Sequence, residues 1–189
     1  MQSLTTTVTP VIDTTGRPAA GEYAAYAESD IARVSGSDAR VALQTQREEV
    51  LTLLGGLTDS QVRGVAYAPG KWTLKEVLGH LIDDERIFCY RVLCVARGEQ
   101  TPQPGFDEKR YAATSGAEAR PLAELLDEYR VVRESTLALL RGLPREAWMR
   151  RGVINGYEAT ARGLAFHIAG HELRHVEALR TKYLTLTEG

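Results

Sequence analysis

The sequence predicts an all-α protein, a four-helix bundle preceded by an irregular arm. Apolar residues recur at helical spacing in four segments of ~16 to 26 residues, joined by both short and long connections. No segment of strand length alternates convincingly between apolar and polar residues. With 189 residues and 43% hydrophobic content, the chain is long enough for one well-buried core and too short for two comfortable domains. We therefore expect one domain over residues 22–189, after an arm over residues 1–21.

The N-terminal part of the chain starts irregularly and then becomes helical. Residues 1–21 are rich in Thr and contain prolines and glycines, a composition typical of irregular structure. Residues 23–34 suit a short helix. A first long helix is predicted over residues 38–54, because its apolar positions recur at helical spacing and Gly55-Gly56 follows.

Two capping boxes mark the starts of helices. In such a box, a Thr at the N-cap and a Glu or Gln three residues later each accept a hydrogen bond from the other's backbone N–H group. Thr58 and Gln61 fit this pattern for a short turn of helix, and Thr73 and Glu76 fit it for a second long helix. Gly98 is expected to end that second long helix.

The C-terminal half carries two further long helices. A long loop is predicted over residues 99–120, and loops of this length in compact domains are often functional. Pro121 suits the first position of the third long helix, which is expected to end at Gly142. Residues 153–158 have the composition of a turn. Thr160 can cap the last helix, which contains three of the four histidines.

These histidines are the main clue to function. His171 and His175 lie four residues apart, so their side chains project from one face of the last helix and can bind the same metal ion. His80 on the second long helix can supply a third imidazole, the commonest protein ligand for zinc-like ions. Three neutral imidazoles leave coordination positions open to water or substrate, as in catalytic sites. We expect one divalent ion, and residue types alone do not choose among nickel, zinc, iron and manganese.

His167 precedes His171 by one helical turn. Eight residues rotate a helix by about 80°, so His167 and His175 do not both face one ion squarely. We expect His167 to line the substrate pocket or to support the ligands from outside. In the alternative interpretation, His167 and His171 form the metal-binding pair.

Three carboxylates near the histidines are predicted to take part in catalysis. Asp83 and Asp84 follow His80 by three and four residues and share its face of the helix. Either can accept a hydrogen bond from a ligating histidine or activate a metal-bound water. In the alternative, the four residues from Asp83 to Arg86 form a solvated helix face. Glu172 can polarise a bound water, or it points sideways into solvent.

Two arginines and two aromatic residues are expected near the substrate. Arg86 and Arg91 can bind an anionic substrate, although such residues often pair with Asp or Glu at helical spacing. Trp72 and Phe106 lie in predicted loops, where they can close the mouth of the site. For Trp72, simple packing in the core is an equal alternative.

The segment from His171 to His175 also matches the His-Glu-x-x-His motif of zinc metalloproteases. The extended form of that motif needs a third His six residues after the second, where this chain has Thr181. The other form needs a Glu on a later helix, and only 14 residues follow His175. We therefore do not expect protease activity.

Composition and cysteine content restrict the partners and the location. The net charge of −2, from 23 basic and 25 acidic residues, gives no electrostatic case for nucleic-acid binding. No apolar run approaches the ~18 residues that suggest a membrane span, and the N-terminus lacks the apolar segment of a secretory signal. Cys89 and Cys94 are too far apart on one helix for an easy disulfide. We expect a cytoplasmic protein with two buried, reduced thiols.

Three motifs occur together in this chain. Residues 68–81 read Ala-Pro-Gly-Lys-Trp-Thr-Leu-Lys-Glu-Val-Leu-Gly-His-Leu, residues 105–108 read Gly-Phe-Asp-Glu, and residues 169–175 read Ala-Gly-His-Glu-Leu-Arg-His. Together they resemble the DinB-like superfamily over about residues 38–184. The resemblance implies a four-helix bundle that holds one divalent metal on three histidines. In this chain these are His80, His171 and His175, the same set that the spacing predicts.

The function implied by the resemblance is less specific. Some members of the superfamily are S-transferases or isomerases that use a low-molecular-weight thiol as cosubstrate, others have been described as metal-dependent hydrolases, and many have no known activity. The resemblance also implies a small-molecule substrate and a homodimer. Our leading hypothesis is an enzyme that activates a thiol or water at the metal. The alternative is a non-catalytic metal-binding module of a stress response.

Overall fold

The computed structural model describes residues 16–187, and in that part of the chain seven α-helices and one antiparallel β-hairpin occur. The helices are α1 Glu28–Ile31, α2 Ala39–Gly55, α3 Asp59–Val62, α4 Leu74–Arg97, α5 Glu108–Thr114, α6 Leu122–Arg141 and α7 Ala161–Ala178. The strands of the hairpin are β1 Arg151–Ile154 and β2 Tyr157–Thr160. A π-turn over Leu179–Tyr183 and a 3₁₀ turn over Leu184–Leu186 follow α7.

The four long helices α2, α4, α6 and α7 form a bundle, which confirms the predicted fold class. Helix α4 packs along both α6 and α7, and α2 also packs along both α6 and α7. Helices α2 and α4, which follow one another among the four, therefore occupy opposite corners of the bundle. This arrangement places the His80 helix, α4, directly beside α7, which carries the other three histidines.

The starts and ends of the helices follow the predicted signals closely. The capping boxes of Thr58 and Thr73 are both present, and the Thr160 hydroxyl accepts a hydrogen bond from the backbone N–H of Gly163. Helix α4 ends at Gly98, whose φ of 82° lies in the left-handed region that favours glycine. Pro121 is the N-cap of α6 rather than its first helical residue.

Of the predictions for the connections, one was incomplete and one was wrong. Residues 153–158 are the centre of a β-hairpin with four-residue strands, which are too short to show a clear alternation in the sequence. Asn155 and Gly156 both have positive φ, the geometry of the two-residue hairpin turn that Asn-Gly favours. The predicted loop over residues 99–120 contains helix α5. Asp107 is the N-cap of this helix, and its side chain accepts hydrogen bonds from two backbone N–H groups.

The buried apolar residues form two clusters, one towards each end of the bundle. Between the apolar positions of these clusters, each long helix contributes buried polar residues. They are Gln46 on α2, Asp84 and Glu85 on α4, Arg133 and Thr136 on α6, and His171 and Glu172 on α7. The bundle therefore has a polar layer across its middle, and the histidine cluster adjoins this layer.

Helix α1 and the chain before it pack along α7, from its first turn to its middle. A Cβ atom at Gly170 would lie 2.2 Å from the backbone oxygen of Asp30, so only glycine permits this approach. Of the predicted arm, residues 1–15 lie outside the described residues. Just after them, Arg17 donates a hydrogen bond of 2.9 Å from Nη2 to the Ile31 oxygen.

None of the helices within residues 16–187 combines the length and the apolarity that crossing a bilayer requires. Cys89 and Cys94 are free, as predicted, but both are half-buried rather than buried. The homodimer and the cytoplasmic location stay predictions.

Candidate metal centre

Three histidines converge between α4 and α7. The potential ligand atoms of His80, His171 and His175 all lie within 4.8 Å of one another. The Nε2 atoms of His80 and His171 are 3.2 Å apart. Two nitrogens bound to one zinc-like ion at tetrahedral angles lie roughly 3.4 Å apart, given bonds of 2.0–2.1 Å. The separation in this protein is therefore close to that of two ligands of one ion.

The protonation and pairing of these imidazoles also fit a metal ion. The Nε2 atom of His175 is buried and has no hydrogen-bond partner among the described residues. Burial lowers the pKa of His80 to about 4 and that of His175 to about 3. Both rings are then neutral at pH 7, the form that binds metals. A buried acceptor without a partner is costly, and a cation at this point would satisfy it.

Two neighbours orient the histidines. Nδ1 of His171 lies 3.2 Å from Oδ2 of Asp84, which is buried on the same helix as His80. The indole of Trp72 packs on the His80 ring with 4.8 Å between centroids. Burial raises the pKa of the Asp84 carboxyl to about 8, while the charge of Arg91 opposes that rise. A cation bound at the histidines would favour the ionised carboxylate.

His167 is buried but stands apart from the three-histidine group. Its ring stacks on Phe88 with centroids 4.3 Å apart and lies 5.9 Å from the ring of His171. It also lines the cleft beside His171. The geometry thus matches the interpretation of His167 as a pocket-lining residue, and the convergent pair is His171 with His175.

A cleft of about 320 Å³, which we call the His171 cleft, opens beside the centre. Its walls combine a ligand histidine and its carboxylate partner with two arginines and several aromatic rings. They include His171, Asp84, His167, Arg91, Arg174, Tyr26, Phe88 and Phe106. Asp84 and Phe106, both predicted from the sequence, therefore lie at the cleft.

A second cleft of about 570 Å³, the His175 cleft, is lined by the ligand histidine His175. Its walls are aromatic and basic, with Trp72, Tyr67, Tyr183, Lys71 and Lys109 beside His175. Arg174 and Glu108 line both clefts. Trp72 thus packs against His80 and also lines a cleft, so both of its predicted roles are compatible with its position.

Glu172 lies in the polar layer and not at either cleft. It is buried, so the alternative in which it points into solvent was wrong. Its carboxylate pairs with Arg133 at 2.5 Å and accepts a hydrogen bond of 3.0 Å from the Tyr129 hydroxyl. Arg133 is fully buried and also pairs with Glu85 at 2.8 Å. Burial raises the pKa of Glu172, and the Arg133 charge opposes that rise.

Asp83 and Arg86 do not line either of the clefts beside the histidines. Asp83 is half-buried, and burial raises its pKa while the charge of Arg86 opposes that rise. Arg86 is exposed and pairs with Glu128 at 2.5 Å. The solvated-face alternative describes Arg86 correctly, but it was wrong for Asp84 because that residue is buried.

Sequence reasoning missed several cleft residues. Tyr26 and Asp30 come from the first short helices, and Arg174 and Glu108 border both clefts. Only Arg174 carried a usable signal, because it lies between His171 and His175 in the sequence. Asp30 reaches the site through its ion pair with Arg174, at 3.2 Å.

This combination of a bundle with three converging histidines agrees with what comparison with known proteins shows. The model of the DinB superfamily matches residues 42–179, most of the chain, and the protein therefore belongs to the DinB superfamily. A comparison with curated proteins gave no match.

Among solved structures, the chain is similar to YfiT from Bacillus subtilis, with 21% identity and a TM-score of 0.67. The similarity covers 79% of this chain and 83% of that one. YfiT is described as a probable metal-dependent hydrolase with an unusual four-helix bundle topology. At this level of identity, the likeness establishes the shared fold.

Proposed function

We propose that the protein is a metal-dependent enzyme that holds one divalent ion on His80, His171 and His175. The observation that carries the proposal is the buried, unpartnered Nε2 of His175 beside two further imidazole nitrogens. Such an ion, when bound, would lower the pKa of a thiol or a water and so supply a nucleophile at neutral pH. The description of YfiT as a metal-dependent hydrolase supports the same general chemistry.

The residues around the centre have distinct tasks in this proposal. Asp84 accepts the Nδ1–H of His171, which fixes the tautomer that presents Nε2 to the ion. His167 is neutral at pH 7, because burial lowers its pKa to about 4. Its ring nitrogens have no hydrogen-bond partner within residues 16–187, so one of them can accept a hydrogen bond from a nucleophile in the cleft.

Glu172 has a positioning task rather than a direct one. Its two carboxylate oxygens face Arg133 and Tyr129 inside the bundle. It therefore ties the middle of α7 to α6, next to His171. Asp83 has no contact with the cleft, and we assign it no role in the reaction.

Two clefts favour transfer of a group between two molecules as the first reaction to test, with hydrolysis as the second. The His171 cleft and the His175 cleft each contain a ligand histidine, and they meet at Arg174 and Glu108. A transfer to or from a low-molecular-weight thiol needs room for two organic molecules, whereas hydrolysis needs room for one. The contrasting function, a non-catalytic metal-binding module, does not require any cleft at the centre.

The test starts from protein purified without a histidine tag, stripped with chelator and reloaded with zinc, nickel, iron or manganese. Each form is assayed with cysteine or glutathione plus 1-chloro-2,4-dinitrobenzene, and separately with p-nitrophenyl esters and anilides. Turnover should require the reloaded ion and should be lost in His171→Ala, while Arg86→Ala, outside the clefts, keeps it. Equal turnover by wild type and His171→Ala would remove the metal from the mechanism. Full metal loading with no turnover in any assay would favour the non-catalytic module.

A further inference from the structure

Arg91 is a buried arginine on the wall of the His171 cleft. It is only 4% exposed, and its guanidinium lies 4.6 Å from the ring centroid of Phe88 and 5.6 Å from that of Phe106. Nη2 donates a hydrogen bond of 2.8 Å to the backbone oxygen of Pro104. The side chain is therefore held between two aromatic rings and anchored at one nitrogen.

The remaining nitrogens of Arg91 have no partner in the part of the chain that the structure describes. Arg91 forms no ion pair there, and the bond to Pro104 is its one hydrogen bond. Nε and Nη1 are not among the fully enclosed unpartnered atoms, so they retain access to the cleft that Arg91 lines. The guanidinium thus presents free N–H donors to the cavity.

Other arginines near the centre are paired with carboxylates. Arg133 pairs with Glu85 and Glu172, Arg86 pairs with Glu128, and Arg174 pairs with Asp30. Asp84 is the carboxylate whose charge acts most on Arg91, but the two side chains form no ion pair within residues 16–187. Arg91 therefore keeps buried N–H donors that no carboxylate contacts, and these donors need an explanation. A planar guanidinium with free N–H groups matches the geometry of a carboxylate.

We propose that the small molecule bound in the His171 cleft carries a carboxylate, which Arg91 binds while the reacting end faces the three histidines. Phe88 and Phe106 flank the guanidinium, so the molecule would also have an apolar part between its two ends. This inference rests on the proposed function and narrows its substrate class. It also makes Arg91 a specificity-determining residue, because a neutral analogue would leave its donors unpaired.

The test uses the zinc-loaded full-length protein and two probes with the same four-carbon skeleton. Butyrohydroxamic acid and succinic monohydroxamic acid share a zinc-binding hydroxamate, but only the second carries a carboxylate at its far end. Isothermal titration calorimetry should give a dissociation constant about 10-fold lower for the succinic probe, the gain expected for one charge-assisted contact. Arg91→Gln should bring the ratio to about 1, and the matched control Arg86→Gln should keep it.

The zinc content of the protein is measured first, because it tests the metal centre separately from the binding of a carboxylate by Arg91. A wild-type protein that takes up no zinc would contradict the metal centre itself. A zinc-loaded protein that binds both probes equally, or neither of them, would overturn the carboxylate inference alone. If Arg91→Gln does not fold by circular dichroism, Arg91→Lys replaces it and should keep a reduced preference. An unchanged preference in a folded Arg91→Gln would show that another group binds the carboxylate.

Discussion

Asp84 on α4 and His171 on α7 meet at 3.2 Å, on the side of the imidazole away from His80. Nδ1 of the ring faces the carboxylate, while Nε2 faces the other two histidines. One ring therefore links a buried acid to the metal centre, an arrangement that orients metal-binding histidines in many proteins.

Removal of the Asp84 charge should weaken metal binding. In Asp84→Asn, we expect zinc affinity to fall by about 10- to 100-fold, because the His171 ring loses the carboxylate that fixes its tautomer and raises its basicity. Competition with a chromogenic chelator measures the change. Asp83→Asn is the control, since Asp83 is half-buried and outside the cleft. Equal losses in both variants would contradict the specific role of Asp84.

The histidines on α7 should differ in their effect on metal content. His175→Ala should lower zinc affinity by more than roughly 100-fold, beyond the range for a contact outside the ligand shell. His167→Ala should keep one ion per chain with a modest loss, because its ring lies in the cleft and not among the three ligands. Calorimetric titration of both variants measures this. Metal lost from His167→Ala but kept in His175→Ala would show that His167 and His171 are the ligand pair on α7.

The metal-free protein should lose stability as the pH falls. The pKa of His80 and of His167 is about 4 in the folded state, and an unfolded histidine titrates near 6.5. Between these pH values the unfolded chain binds more protons than the folded protein, so the free energy of unfolding rises with pH. The stability that the histidines contribute is therefore lost as the pH falls from about 6.5 to about 4. Each unit of pKa difference contributes about 1.4 kcal/mol.

Asp84 has the opposite effect on the pH dependence of the free energy of unfolding. Its pKa is raised to about 8, so between about pH 4 and 8 the folded protein holds a proton on Asp84 that the unfolded chain has released. His171 and His175 also have lowered pKa values, so the histidines outweigh this one carboxyl below about pH 6. Urea unfolding in the presence of EDTA at pH 7 and pH 5 measures the net effect. Equal stability at the two pH values would contradict it, and Asp84→Asn should steepen the loss at low pH.

Arg133 should be essential for the stability of the bundle. Arg133→Met leaves Glu85 and Glu172 buried without their cation, and breaking such a pair costs about 3 to 5 kcal/mol. Arg130→Met, on the same helix, removes an exposed pair with Glu134 and should cost about 0.5 kcal/mol or less. Denaturant unfolding at pH 7 compares the two variants. A similar small effect for both would show that the buried layer tolerates the unpaired acids.

Most features that depend on a few neighbouring residues could be predicted from the sequence. The capping boxes of Thr58 and Thr73 and the end of α4 at Gly98 depend on local hydrogen bonds and on backbone conformation. The shared face of His171 and His175 follows from the period of the helix alone. Their convergence with His80 rested on the further assumption that the second and last long helices are neighbours, and the packing of α4 against α7 confirms it.

The connections were harder to predict because their signals are weak. Strands of four residues carry too few positions to reveal an alternation, and β1 and β2 are held by each other and by the backbone of Gln103. Helix α5 has only seven residues and lies in a stretch whose prolines and glycines suggested a loop. Contacts between distant parts of the chain stabilise such elements, and these contacts leave no periodic pattern in the sequence.

The sequence by itself determined the bundle, the boundaries of its four long helices and the three histidines, because the helical period and the local capping hydrogen bonds act over a few residues. Only the tertiary structure decided which of the nearby polar side chains face the centre. Asp84 meets His171, Arg91 faces the cleft, and Glu172 turns inward to Arg133. The direction of each side chain depends on which neighbouring helix packs against that side of its own helix, and this choice is made by the packing of all four helices together.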